Sequence, residues 1–372
     1  MTEGEDKSQF VPLRVTVRLD AIVANWRTAQ TIAGPALAAA VVKANAYGTG
    51  MARAAPALAA AGCETFFVAR LEEGVALRKL LPSARIFVLD GAPADTVPAL
   101  LSHRLIPVLN SLADIAVWSS VAQAGAGVLD AALHVDTGIS RLGLPGEELA
   151  TLAGEQARRL KGLNIVLVMS HLAYAEERAN PMNGMQLERF RAALAMLPPA
   201  PASLAASGGT LLGKDYHFDL VRPGVGLYGA NPCNDGENPF RTAVVLNAAV
   251  LQVRRIDKGE GVGYAATFRA GRPTMIATVA MGYADGIPRA ASNRGAAAFR
   301  GARAPIVGRV SMDLLTLDIT DLIEQPRVGD MVELLGDTVT LGDAAQAAGT
   351  NEYELLTRLP PHAVRDYTGE GA

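Results

Sequence analysis

The sequence predicts an α/β chain in two parts, a (β/α)8 TIM barrel over residues 11–237 followed by a mostly antiparallel β domain over 238–372. Three observations carry the prediction. Short apolar runs alternate with amphipathic helical stretches through the first part of the chain, and polar residues recur just past the ends of those runs. Beyond about residue 238 the apolar residues alternate with period two, and turn residues replace the helices. A chain of 372 residues is also long enough for two separate cores.

The first ten or so residues are polar and acidic and read as a disordered tail. Residues 13–19 alternate apolar and polar like a half-buried strand, free to pack with the β domain, and Asp20 is expected to cap a helix running to about Ile32. The barrel strands are expected at 37–42, 65–69, 85–89, 105–109, 131–135, 164–169, 202–206 and 221–227. Helical patterns at 51–61, 71–80, 93–102, 111–123, 147–159 and 185–197 separate them. An open doubly wound sheet is the rival arrangement. The barrel is preferred because Lys43, Arg70, Asp90, Asp136, His171, Ser207 and Arg222 all follow strand ends, and in a barrel those ends share one rim.

In the second part, strands are expected at 244–253, 274–279, 304–307, 314–319 and 331–335, with a short helix at 342–348 capped near Thr340 and another starting near Glu352. The boundary at 233–239 is marked by turn-rich composition, without a low-complexity linker or a sequence repeat.

Composition narrows the function. Half of the chain is hydrophobic, 19% is charged and the net charge is −3, with signs mixed along the sequence, so no basic stripe for nucleic acid exists. No apolar run approaches the roughly 20 residues that span a bilayer. The acidic N-terminus lacks the pattern of an export signal, and Cys63 and Cys233 lie far apart without metal-ligand spacing. A cytoplasmic protein with two reduced thiols and no metal is the expectation.

The chemistry centres on residues 40–50, AVVKANAYGTG, where an apolar run ends in a lysine followed at once by a polar, glycine-containing turn. Lysine is scarce, with six in the chain, and Lys43 alone follows directly on a strand-like run. Partial desolvation at a strand end would favour its neutral, nucleophilic amine. A lysine snorkelling from a strand end is the plainer alternative.

Val41, Lys43, Ala44, Asn45, Tyr47, Gly48 and Gly50 together resemble the cofactor attachment signature of the alanine racemase family. The resemblance runs from Leu19 and Asp20 to the segment Tyr353–Arg358 and implies the following roles. Lys43 would carry pyridoxal 5'-phosphate covalently, and Tyr47, Ser207, Gly224, Val225 and Tyr353 would surround its phosphate. Arg222 would face the ring nitrogen, and because arginine keeps its proton, that nitrogen would stay unprotonated. Racemisation takes a proton from one face of the substrate carbon and returns one to the other, so it needs two bases. Lys43 would serve one face and Tyr264 the other, with His171 linking Tyr264 to Arg222 through hydrogen bonds. Arg141 and Met312 would bind substrate, and Tyr283, Asp285, Arg289 and Glu176 would line the entrance. Tyr264, Met312 and Tyr353 would leave room for little more than a methyl group, which makes alanine the substrate.

The family resemblance further implies a homodimer in which each site is completed by the other subunit's β domain. Two departures stand out. Some members carry a carbamylated lysine that orients the carboxylate-binding arginine; here His134 stands seven residues before Arg141, leaving Arg141 to be held by a bound anion or by His134 itself. An entrance residue that is often aspartate is Glu176. The alternatives to an alanine racemase supplying peptidoglycan are a broad-specificity racemase, usually exported, a decarboxylase on the same plan, and a single-barrel carrier of pyridoxal phosphate. The carrier would lack the second domain of about 130 residues.

Overall fold

The computed structural model describes residues 10–369, so the expected N-terminal tail at 1–9 lies outside the described residues. The chain divides into two compact units: Asp20–Arg241, and a second that resumes at Thr242 and takes in the chain's first strand.

In the Asp20–Arg241 unit, Ala40–Val41, Thr65–Val68, Arg85–Val88, Ile106–Leu109, Leu129–His134, Leu163–Met169 and Ala202–Ser203 form a continuous parallel sheet in chain order. Leu220–Val221 pairs in parallel with Leu37–Ala38, which leads into the first of these strands. The ring closes through Arg222 N donating to Ala205 O at 2.8 Å and Leu37 N donating to Asp219 O at 2.9 Å. This is the expected eight-stranded barrel. Its strands read as unbroken apolar runs because helices cover the outer face and side chains fill the inner one. Thr65–Val68 and Ile106–Leu109 are buried at every position.

Helix starts follow local chemistry. Ser111 Oγ accepts from Asp114 N at 3.1 Å to open Leu112–Val121. Asn180 Oδ1 accepts from Met182 N at 3.0 Å to open Pro181–Met196, with Pro181 at the first helical position, where it has no amide to lose.

Three expectations need correction. The run 221–227 is strand only at Leu220–Val221; after a single bridge between Ala206 and Arg222 the chain turns through the 3-10 segment Val225–Tyr228. At 224 and 226 a Cβ would run into Tyr47 and the Phe240 ring, so glycine permits the close packing there. Likewise 202–206 is strand only at Ala202–Ser203. The first helix already begins at Leu19, so Asp20 lies in its first turn and acts on the helix dipole rather than as the cap.

The other unit is built on a sheet in the order Ala302–Pro305, Ala296–Phe299, Met331–Leu335, Val244–Ile256, Leu13–Arg18, Val364–Thr368. Thr274–Val279 pairs with Val244–Ile256 and carries Leu315–Asp318 on its far side. Leu13–Arg18 is antiparallel to Val244–Ile256 and parallel to Val364–Thr368, and its strict burial alternation shows one face in the core. The strands Ala296–Phe299 and Val364–Thr368 carry too little apolar contrast to be read from sequence. Thr340 caps Leu341–Ala348, its Oγ1 accepting from Asp343 N at 3.1 Å.

Among the described residues no helix is long and apolar enough to cross a membrane, and no cluster of three or more His, Cys, Asp or Glu could hold a metal. Both cysteines are free and buried.

Phe67 is fully buried, stacks on Phe87 with ring centroids 4.7 Å apart, and lies 6.0 Å beneath the Arg222 guanidinium carbon. Phe67→Ala should cost about 3–5 kcal/mol in urea unfolding. A loss under about 1 kcal/mol would mean the barrel interior collapses onto the gap without penalty.

Candidate active site

Lys43 leaves the strand Ala40–Val41 into a turn of unusual geometry. Ala44, Asn45, Ala46 and Tyr47 all have φ of 53°, a left-handed run without a glycine. For L-residues this costs about 1–2 kcal/mol each, so neighbouring structure must over-determine it. Tethers are present at both ends. Glu73 Oε1 accepts from Ala44 N at 2.6 Å, Asn45 Oδ1 accepts from Met51 N at 2.9 Å, and Thr49 Oγ1 donates to Ala46 O at 2.6 Å. Burial, with the charge of Arg141 and a smaller effect from Arg222, holds the Lys43 amine below the ordinary lysine range, while Glu73 and Asp90 pull the other way. The amine is thereby made easier to deprotonate.

Tyr47 is buried and stacks on Tyr228 at 4.9 Å between centroids, and Tyr228 Oη donates to Val41 O at 3.0 Å. A Cβ placed on Gly224 would come 2.4 Å from Tyr47 Oη, so only glycine permits this approach. Ser207 Oγ accepts from Gly224 N at 2.8 Å and Gly226 N at 3.3 Å, joining the last two strand exits. The amides of Gly208 and Val225 have no hydrogen-bond partner among the described residues. Tyr47, Ser207, Gly224 and Val225 thus converge at the barrel rim, where the amides of Gly208 and Val225 are able to donate to an anion such as the phosphate of the expected cofactor.

Arg222 is almost fully buried and forms no ion pair among the described residues. Its Nη1 donates to Ser203 O at 2.9 Å and its Nη2 to Ser170 O at 2.7 Å. Burial pushes it down to about 9, still above neutrality, so the guanidinium keeps its charge. Burial and then the charges of Arg222, Arg141 and Lys43 drive the His171 imidazole well below its ordinary value, which leaves it neutral. Among the described residues no hydrogen bond joins His171 to Arg222, whose Nη1 and Nη2 donors go to Ser203, Ser170 and Leu204, with the Nε–H left over. His171 is held instead through its backbone: Gln186 Nε2 donates to His171 O and to Thr137 Oγ1, both at 3.1 Å, and Gln186 Oε1 accepts from Ala173 N at 2.8 Å. Thr137 Oγ1 in turn meets Ser170 Oγ at 2.8 Å.

The loop to Arg141 is organised by Asp136, whose Oδ1 accepts from the amides of Gly138, Ile139 and Ser140 at 2.9, 3.0 and 3.2 Å. Arg141 itself is exposed. His134 lies beneath this loop. Asn110 Nδ2 donates to Leu89 O and Val108 O, so its Oδ1 must accept the proton of His134 Nδ1 at 2.7 Å. The Nε2 of His134 is then a buried acceptor with no partner among the described residues.

The remaining candidates lie in the β unit, with Glu176 exposed at the barrel rim. Tyr264 is 70% exposed in the 3-10 turn Tyr264–Ala266, and Met312 is 54% exposed. Tyr283 N donates to Ser311 O and Ala284 N to Met312 O, so the Tyr283 and Met312 loops form one packed structure. Asp285 Oδ2 accepts from Gly282 N at 2.8 Å and its Oδ1 meets His362 Nε2 at 3.1 Å. Arg289 and Tyr353 are exposed. Sequence reasoning missed Glu73, Gln186, Asn110 and the stacking role of Tyr228; Glu73 bonds backbone amides alone, while Gln186 and Asn110 also reach the Thr137 and His134 side chains.

His134 gives a pH prediction. Burial first, then Arg222, pushes its pKa down to about 4 from an ordinary value near 6.5. The unfolded chain therefore binds more protons than the folded one between these values, and stability is lost as pH falls through that window. From pH 7 to pH 5 the loss from this group is about 2 kcal/mol, and His134→Gln should remove that share of the slope in urea unfolding. An unchanged slope would place the imidazole in solvent.

Two family models match the chain: "Alanine racemase, N-terminal domain" over residues 17–232 and "Alanine racemase, C-terminal domain" over 243–367. It is 48% identical over 358 residues to the alanine racemase of Rhodospirillum rubrum, covering 95% of this chain and 96% of that one. It is 45% identical to the catabolic alanine racemase of Agrobacterium fabrum, covering 96% and 92%. Among solved structures, alanine racemase from Bartonella henselae with covalently bound pyridoxal phosphate aligns at a TM-score of 0.92 and 42% identity, covering 96% of this chain and 99% of that one. With both halves matched and nearly the whole length shared, the chain belongs to the alanine racemase family.

Proposed function

We propose that the protein interconverts L- and D-alanine with pyridoxal phosphate held by Lys43. The observation that carries this reading is the Lys43 amine, depressed by burial and by Arg141 and presented on a strained turn that runs to Tyr47 against Gly224. When bound, the cofactor stabilises negative charge at the substrate's α-carbon. The residues do the rest. Tyr47, Ser207, Gly224, Val225 and Tyr353 bind the phosphate, and Arg222 sits at the ring nitrogen without giving it a proton. The permanent charge of Arg222 has no carboxylate partner among the described residues, in keeping with that role.

Lys43 Nζ moves a proton on one face of the α-carbon and the Tyr264 hydroxyl on the other. Arg141 holds the substrate carboxylate, with the unpartnered Nε2 of His134 available to accept one of its N–H groups. His171 adds a neutral imidazole to the site. Met312 bounds the methyl pocket, and Tyr283, Asp285, Arg289 and Glu176 narrow the way in. The active form is a homodimer, each site taking Tyr264 and Met312 from the partner's β unit. The exposure of Tyr264, Met312, Tyr283 and Tyr353, all large side chains, supports a partner covering them.

The two free cysteines are in keeping with the cytoplasm, where the D-alanine formed would feed peptidoglycan synthesis. A catabolic direction is the second reading, favoured by the catabolic alanine racemase of Agrobacterium fabrum among the relatives.

Purified protein supplied with pyridoxal phosphate should abolish the optical rotation of L-alanine without releasing carbon dioxide; carbon dioxide release would mean a decarboxylase. Tyr264→Phe should lower kcat in both directions by about 100-fold or more, while α-hydrogen exchange in D2O persists for one enantiomer only. Unaltered racemisation from both enantiomers would refute the two-base assignment.

A further inference from the structure

We infer that Glu73 is the positioning residue for Lys43: a single carboxylate on the first turn of helix Leu71–Leu80 pins the left-handed turn that aims the amine. Its Oε1 accepts from Ala44 N, the amide immediately after Lys43, at 2.6 Å. Its Oε2 accepts from Ala69 N at 2.9 Å and Arg70 N at 3.2 Å, at the end of the neighbouring strand Thr65–Val68. One side chain therefore ties the turn to the second barrel strand and to the helix that follows it.

Among the described residues no other side chain bonds Ala44, the residue at which the left-handed run begins. The far end is tied separately, through Asn45 Oδ1 to Met51 N and through Thr49 Oγ1 to Ala46 O. Capping the helix requires only the Arg70 amide, so the contact to Ala44 is unexplained by that duty. The carboxylate also sets a negative charge near Lys43, alongside Asp90 and against Arg141 and Arg222. Without the Ala44 bond, the start of this non-glycine run at φ of 53° keeps only backbone bonds, Ala46 N to Val42 O and Gly48 N to Ala44 O, both at 2.9 Å, and no side chain fixes the residue that orients the amine.

The inference rests on the reading of Lys43 as the reactive amine, and the test separates the two. Glutamine at 73 has one acceptor oxygen: if that oxygen stays on Ala69 and Arg70, the amide nitrogen faces the Ala44 N–H, donor against donor. Alanine loses both contacts. In the holoenzyme of Glu73→Gln and of Glu73→Ala, hydrogen exchange across 44–47 should accelerate about tenfold or more, and kcat should fall about tenfold or more with KM within about threefold. Wild-type kcat in either variant overturns the inference, and so does a loss of kcat with exchange across 44–47 unchanged. Failure of Lys43 to hold the cofactor would overturn the reading beneath it and leave the exchange result standing on its own.

Discussion

A run of four non-glycine residues in left-handed backbone follows Lys43, and the rest of the barrel mouth is arranged to hold it there. The run costs about 1–2 kcal/mol for each alanine and for the tyrosine, offset only in part by its local backbone bonds, Ala46 N to Val42 O and Gly48 N to Ala44 O, both at 2.9 Å. Its return is geometric. The backbone reverses within one turn, so the lysine stays at the strand end while Tyr47 is carried back against Tyr228 and the Gly224 loop. The amine and the contact of Tyr47 with the Gly224 loop are thereby set by one short segment.

The second constraint is charge. Lys43, the exposed Arg141 and the buried Arg222 lie close enough to feel one another, and Arg222 has no ion-pair partner among the described residues. Buried like charges repel strongly, and each depresses the protonation of its neighbours. The result is a neutral His171, a neutral His134 and a Lys43 poised to lose its proton. Backbone carbonyls beneath Arg222 and the Gln186 network replace counterions, fixing positions without cancelling the field. A site of this sign is preorganised for an anionic ligand with a phosphate and a carboxylate.

Much of this was legible in the sequence. Eight apolar runs separated by helical patterns located every barrel strand, because parallel strands buried on both faces read as unbroken hydrophobic stretches. The rim residues followed from where those runs stopped. The left-handed turn was not legible: Ala-Asn-Ala-Tyr carries no glycine, and tertiary tethers override its propensity. Glu73 was invisible for a related reason, since it bonds backbone amides that any sequence supplies, and Gln186 and Asn110 because their side-chain partners Thr137 and His134 lie far off in the chain. The 221–227 run misled because its apolar residues are buried in a 3-10 turn and not in a strand, and apolar pattern alone cannot separate the two over so few residues.

The account depends most on which amine meets the cofactor. Borohydride reduction of the holoenzyme, followed by proteolysis and mass mapping of the pyridoxyl-bearing peptide, addresses it directly. The modification is predicted on Lys43 alone. A pyridoxyl group on any of Lys7, Lys79, Lys161, Lys214 or Lys258, with Lys43 unmodified, would contradict it.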